Sequence, residues 1–348
     1  MTLLQMRDVS VSYRTANGVL PAVRGVSLEV GAGESVGIAG ESGCGKSTLA
    51  STILRLQPAS AEVTGEVLVD GEDVLGMRWG ELRALRWAGA SMVFQGALHS
   101  LNPVRRIGQQ IAEPIRLHDP SVPEAETSSR VEELLEQVGL PGSRAADYPH
   151  QLSGGQRQRA MIAMALACRP RLVIADEPTT ALDVMVQAQV LTLLSGLVDD
   201  LGVGLLMISH DLSALSRACH RVAVMYAGRI VETGTAGEVF DAPRHPYSRA
   251  LSAAFPRIGD PAARFAPAGL PGDPPDPRDL PSGCAFHPRC PLAVDKCRRS
   301  DPMLVEIGGG RTAACHRVDE TAEGSAGETA EGSAGETADE SITDKETA

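Results

Sequence analysis

Ser35-Val36-Gly37-Ile38-Ala39-Gly40-Glu41-Ser42-Gly43-Cys44-Gly45-Lys46-Ser47-Thr48 decides the fold. Ser35 to Ala39 is a compact apolar run and reads as a buried strand. A glycine-rich loop follows, and the residues from Lys46 to about Leu56 read as a helix. Strand, glycine loop and helix in that order fit the phosphate-loop pattern. The glycines let successive backbone N–H groups curl inward as an anion nest, and the helix points its positive end at the same place. In that pattern Lys46 reaches the β- and γ-phosphates, and Ser47 offers a hydroxyl to Mg2+. Lys46 is also one of only three lysines in the chain, with Lys296 and Lys345.

A second stretch, Leu172-Val173-Ile174-Ala175-Asp176-Glu177, is an apolar strand that ends in two acids. A parallel strand beside the loop strand would carry both acids to the C-terminal sheet edge, where ligands sit in α/β folds. Asp176 is then placed to hold Mg2+ through its water shell, and Glu177 to polarise an attacking water. Alone, this pattern is better explained by a solvated strand end, because short apolar runs ending in acids are common. Leu152-Ser153-Gly154-Gly155-Gln156 opens a helix, with Ser153 as N-cap and the N–H groups of Gly154 and Gly155 as a second anion site. One nucleotide does not need two phosphate sites in one chain. Two chains facing head to tail would use both, whereas simple helix capping would use neither.

Working outward, short strands are expected over Leu3–Met6, Val9–Tyr13, Val26–Val30 and Val63–Val69. Glu81 to Ala167 reads as mostly helical, with a break at Pro120–Pro123. Val186–Leu201 reads as a helix and Gly204–Ile208 as a buried strand. Val222–Met225 and Arg229–Val231 read as a closing hairpin. Strands alternating with helices predict an α/β sheet covered on both faces.

The net charge is −12 over 348 residues, but it is not evenly spread. From Asp319 onward 10 acids face one lysine, a net of −9, which leaves −3 for the body. That excludes a globally basic nucleic-acid binder. The tail repeats Thr-Ala-Glu-Gly-Ser-Ala-Gly-Glu, has almost no large apolar residue, and is expected to be disordered. No apolar run approaches the length of a membrane span and no secretory leader is evident, so a cytosolic chain with reduced thiols is expected. Cys44, Cys168 and Cys219 are scattered, while Cys284, Cys290, Cys297 and Cys315 crowd a Pro- and Gly-rich segment. Such crowding favours metal over disulfide, although the spacing is not that of a zinc ribbon or a common ferredoxin.

The chain resembles the ATP-binding subunit of an ABC transporter. The 152–156 run is similar to the family's signature motif. Tyr13 matches the aromatic that stacks on adenine, Gln95 in Met92-Val93-Phe94-Gln95 the Q-loop glutamine, Asp183 in Ala181-Leu182-Asp183 the D-loop, and His210 in Ile208-Ser209-His210-Asp211 the switch histidine. One departure is that Gly96-Ala97-Leu98-His99 intervenes where relatives often carry Asp-Pro. Ser100-Leu101-Asn102-Pro103, His245-Pro246-Tyr247 and Gly283-Cys284 to Pro291 are similar to the dipeptide, oligopeptide and nickel importer branch.

The resemblance implies a P-loop NTPase ABC cassette over 1–240, with an N-terminal antiparallel β-subdomain and a helical subdomain at about 96–160. An oligopeptide-importer-type Cys-rich extension over 241–318 and the tail 319–348 would follow. It implies ATP hydrolysis driving solute import, with catalysis by Glu177, His210, Gln95 and Lys46. Nucleotide would be bound by Tyr13, Gly40, Glu41, Ser42, Gly43, Cys44, Gly45, Lys46, Ser47, Thr48, Gln95, Ser153, Gly154, Gly155, Gln156, Asp176 and Asp183. Mg2+ would be held by Ser47, Gln95 and Asp176. The four clustered cysteines would hold a 4Fe–4S cluster, with zinc or free or bridged thiols as alternatives. The implied partners are a second, related ATPase subunit, two membrane permeases and a solute-binding protein, at the cytoplasmic face of the membrane, without nucleic acid. Di- or oligopeptide is the leading cargo. Nickel or another small solute is the alternative, and a soluble ABC ATPase of DNA repair or translation is the rival class.

Overall fold

The computed structural model describes residues 1–96, 100–254 and 270–319. The intervening 97–99, where the departure after Gln95 falls, and the tail from 320 lie outside the described residues. The chain opens with a long hairpin, β1 (Thr2–Thr15) and β2 (Gly18–Gly31), followed by β3 (Ser35–Ala39), the phosphate loop and α1 (Lys46–Thr52). Then come β4 (Ala61–Val69), β5 (Glu72–Asp73), α2 (Trp79–Ala88) and β6 (Ala90–Val93). Three helices follow, α3 (Ile107–His118), α4 (Glu124–Gln137) and α5 (Gly154–Ala165). The chain returns through β7 (Leu172–Asp176), α6 (Val184–Leu201), β8 (Gly204–Ser209) and α7 (Leu212–Ala218) to the hairpin β9 (Arg221–Tyr226) and β10 (Arg229–Thr235). After α8 (Ala236–Asp241) and α9 (Pro246–Ala254), the extension adds α10 (Asp295–Arg299), β11 (Val305–Glu306) and β12 (Thr312–Ala313).

Two sheets result. One is antiparallel, in the order β2-β1-β4-β5. The other runs β11-β12-β10-β9-β3-β8-β7-β6, with parallel pairing from β9 through β6. The central strands are buried along their whole length because both faces are covered. Their alternation still sorts the side chains. Leu172, Ile174, Leu206 and Ile208 face the core shared with the antiparallel sheet. Val173, Ala175, Leu205 and Met207 face the core shared with the helices.

Three details differ from the sequence reading. Ala90–Val93, inside the stretch read as helical, is the edge strand β6. All four of its residues are buried, so it shows neither the polar alternation of an exposed strand nor a helical stripe. β7 is not beside β3, because β8 lies between them. Finally, α6 is long and apolar enough to cross a membrane by length and composition, where no span was expected. Its Val190, Leu191, Leu194, Leu197 and Val198 pack into the main core, as in the core helix of a globular protein.

The extension is stitched to the cassette. β12 pairs antiparallel with β10. The carboxylate of Glu232 on β10, fully buried, accepts from Arg311 at 3.1 Å and from the backbone N–H groups of Arg244 and His245 at 2.8 Å. Satisfying it from three sides is what makes a buried charge tolerable.

Candidate active site

The phosphate loop leaves β3 after Ala39 and enters α1 at Lys46. Gly45 has φ 106°, and a Cβ there would lie 2.3 Å from the Ala22 carbonyl oxygen. Only glycine fits that turn. A Cβ on Gly40 would come equally close to the Met225 carbonyl. The buried Lys46 side chain folds across the loop, its Nζ donating to the carbonyls of Gly40 at 2.7 Å and Glu41 at 2.9 Å. Ser47 Oγ donates to Asp176 Oδ1 at 3.0 Å, joining the start of α1 to the end of β7. Burial pushes the Asp176 carboxyl up. The Ser47 hydrogen bond opposes this, the neighbouring Glu177 charge adds to it, and Lys46 opposes it. A hydroxyl and a carboxylate meeting beside a phosphate loop form a hard-oxygen pair of the kind Mg2+ takes.

Beside this pair lies a cleft of about 330 Å³, lined by Tyr13, Ser42, Gly43, Thr48, Gln95 and Glu177 among others. Tyr13 OH donates to Thr48 Oγ1 at 3.3 Å. Glu177 directly follows β7 in a left-handed conformation, φ 45°, with its N–H on the Ile208 carbonyl at 2.9 Å. Such backbone in a non-glycine residue costs about 1 kcal/mol or more and persists where surroundings enforce it. Here it places the carboxylate among three neighbours. Gln95 Nε2 donates to it at 2.9 Å, Thr180 Oγ1 donates at 2.8 Å, and His210 Nδ1 lies 3.5 Å away. His210 is set by the end of β8 and by Asp211, which N-caps α7 through the Ala214 N–H at 3.1 Å. A carboxylate held this way at a phosphate cleft can orient a water and accept its proton.

The structure thus brings Tyr13, the loop, Gln95, Asp176, Glu177 and His210 to one sheet edge. Ser153, Gly154, Gly155, Gln156 and Asp183 form a separate patch and do not line this cleft. Ser153 Oγ accepts the Gln156 N–H at 3.3 Å, and Gln156 Oε1 accepts the Ser153 N–H at 3.0 Å, closing a capping box on α5. Asp183 caps α6 through the Val186 N–H at 3.0 Å. A Cβ on Gly155 would lie 2.3 Å from Val186 Cγ1, so the two helix starts meet with no room for a side chain. Val184 and Met185 stand exposed beside them.

Two loop residues face elsewhere. The Glu41 carboxylate pairs with Arg289, and its N–H donates to Tyr247 OH at 2.8 Å. The Cys44 thiol is buried 3.8 Å from Lys46 Nζ, and burial pushes it up. Sequence reasoning missed Thr180, Pro277, Tyr247 and Arg289. Thr180 follows Glu177 by three residues in a turn, a usable local signal. The other three reach the loop from the extension, and no local pattern announces that.

Cys284, Cys290, Cys297 and Cys315 line one small pocket, all unbridged. Cys315 Sγ accepts the Arg317 N–H at 3.4 Å, and the backbone N–H groups of Phe286 and Leu292 act on the Cys284 and Cys290 thiols against the effect of burial. N–H groups aimed at sulfur suit thiolates. In the protein alone, burial is the largest influence on Cys284 and pushes it up to about 11. Among the described residues, no three His, Cys, Asp or Glu side chains are placed to hold a metal ion. The structure therefore gathers the four cysteines without showing a closed metal site.

The ABC transporter family profile matches residues 23–180, and the oligopeptide/dipeptide transporter C-terminal region matches 231–297. The chain is 45% identical over 319 residues to the dipeptide transport ATP-binding protein DppD of Escherichia coli K12, covering 91% of this chain and 97% of that one. It is 44% identical to the oligopeptide transport ATP-binding protein OppD of the same organism, covering 91% and 94%. Among solved structures, the dimeric bacterial ABC transporter cassette MJ0796 superposes with a TM-score of 0.61 at 28% identity, covering 67% of this chain and 98% of that one. The phosphate loop, the paired acids and both matched regions lie on one continuous chain, which belongs to the ABC transporter ATP-binding proteins of the oligopeptide/dipeptide group and is an ATPase cassette.

Proposed function

We propose that this ATPase powers import of di- or oligopeptides from the cytoplasmic face of a membrane. It would pair with a related cassette and dock on two permease subunits fed by a solute-binding protein. The observation that carries the reading is the division of labour between two patches. The cleft holds a phosphate loop and a positioned carboxylate, while the second anion-binding helix terminus lies elsewhere on the surface. A head-to-tail pair would bring one subunit's Ser153–Gln156 terminus onto its partner's nucleotide. Exposed Val184 and Met185 beside Asp183 support burial there, and exposed Phe94 and Val104 support docking on another protein.

In this reading Tyr13 stacks on the base and the loop N–H groups with Lys46 neutralise the phosphates. Ser47, Asp176 and Gln95 would hold Mg2+, which would supply charge neutralisation at the phosphates. Glu177 accepts the proton of the attacking water. Gln95 and Thr180 fix its carboxylate, and His210 stabilises the terminal phosphate. Phosphoryl transfer to water depends on alignment and charge stabilisation more than on covalent chemistry, which suits this set.

The four gathered thiols support a 4Fe–4S cluster as the leading reading, with zinc and free or bridged thiols as the alternatives. Backbone N–H groups directed at the sulfurs support thiolate ligands for such a cluster. Cys284, Cys290, Cys297 and Cys315 would hold it, and its contribution would be to cross-link a segment poor in regular structure. Anaerobically purified protein is expected to carry iron and a visible charge-transfer band, and colourless, iron-free protein would sink the assignment.

The transport reading is tested by reconstituting the chain with its permease subunits in vesicles and following labelled dipeptide and oligopeptide uptake with ATP. Uptake that stops with Glu177→Gln supports it. Uptake of a nickel chelate alone selects the nickel alternative. ATP turnover stimulated by nucleic acid, with no membrane partner retained, selects the soluble class.

A further inference from the structure

Glu41 is the second residue of the phosphate loop, and its side chain and N–H are both held by the extension. Its carboxylate is gripped by both arms of the Arg289 guanidinium, at 2.7 and 3.0 Å. The Arg289 side chain is only 6% exposed and that of Glu41 20%. Arg289 itself is fixed by the Pro271 carbonyl at 2.7 Å and by Tyr226 OH at 3.4 Å, and it stacks near the Tyr226 and Phe286 rings. The Glu41 N–H is taken by Tyr247 OH at 2.8 Å. On the far side, the Glu41 carbonyl accepts from Lys46 Nζ at 2.9 Å. A chain of direct contacts therefore runs from the residue beside Cys290, through Glu41, to the lysine of the phosphate loop.

We propose that Arg289 is a positioning residue for nucleotide binding: it neutralises the Glu41 carboxylate beside the phosphate nest and fixes the backbone that carries the Lys46 contact. A carboxylate at that point repels a polyphosphate unless it is paired, and a bidentate guanidinium is the strongest side-chain partner available to it. Removing one member of a nearly buried pair leaves the other uncompensated. The consequence falls on ATP affinity, because the contacts end on a phosphate-binding group and do not involve Glu177. The inference rests on the ATPase assignment alone and is independent of the cargo and of what the thiols hold.

The test is an ATP titration of turnover in the assembled transporter, with ATP affinity of the full-length chain measured alongside. Arg289→Ala is expected to raise KM for ATP about tenfold with kcat within twofold. Arg289→Lys keeps the charge and loses the fork, so KM should rise about threefold. The deciding variant is Arg289→Ala with Glu41→Gln, which removes the unpaired carboxylate and should bring KM back to within about threefold of the native value. A merely structural role for Arg289 would not be rescued by neutralising Glu41. The proposal is overturned if the double variant is as weak as Arg289→Ala, or if the loss falls on kcat with KM unmoved. Should Arg289→Ala fail to fold, Arg289→Lys with and without Glu41→Gln gives the same comparison.

Discussion

The phosphate loop and the four-cysteine pocket are both places where this chain gathers groups around a small volume, and they are built by opposite means. The loop is made of main chain. β3, the close approach of Gly45 to Ala22 and the start of α1 define it before any ligand arrives. The cysteine segment holds only short elements, a 3-10 turn at His287–Arg289 with α10, β11 and β12, and among its cysteines only Cys297 is buried. Its order comes from the Glu232–Arg311 pair, the β10–β12 pairing and the sulfur-directed N–H groups. A site rooted in a sheet tolerates loss of a side chain and keeps its shape. A site whose own side chains close the fold does not.

The largest expected effect separates chemistry from binding within the rooted site. Glu177→Gln keeps the volume and the contacts with Gln95 and Thr180 but loses the proton acceptor. ATP should still bind, while turnover falls by about a hundredfold or more, read by phosphate release against nucleotide affinity. Wild-type turnover would remove Glu177 from its role. Gly45→Ala attacks the backbone instead. It imposes a Cβ at φ 106° against a carbonyl 2.3 Å away, so ATP affinity should fall about tenfold or more. An alanine variant with native affinity would show that the loop is more compliant than its contacts indicate.

These two positions were legible in the sequence because each belongs to a local pattern, a glycine loop after an apolar run and acids at a strand end. The central parallel strands were legible for the same reason, as continuous apolar runs. β6 was not, because four buried residues carry no periodicity, and the strand order was not, because β7 reaches the sheet edge with β8 interposed. Arg289 and Tyr247 were illegible as loop partners. They meet Glu41 from 248 and 206 residues away, and only tertiary packing brings them there.

A mid-sized effect probes the other region. If the four thiols hold the proposed cluster, Cys290→Ser should lower iron content and expose the 270–319 segment to limited proteolysis, while ATP binding weakens without being abolished. The segment is joined to the loop through Arg289, so some loss of affinity should follow, but β3 and α1 do not depend on it. If nucleotide binding disappears together with the segment's protease resistance, the two sites form one cooperative unit and the contrast between them collapses.

The smallest effect concerns the acidic tail. Residues 319–348 carry −9 of the total −12, and their repeat offers almost nothing apolar to bury. Exposed charges further than about 8 Å away are screened at physiological salt. The cleft carries its own compensating groups, Lys46 beside the loop carbonyls and Arg289 on Glu41. Ending the chain at Val318 should therefore leave ATP turnover within twofold, measured at two ionic strengths. A larger change that grows as salt is lowered would mean that the tail acts on the cleft through its field. The nearly neutral body could then no longer be treated as the whole machine.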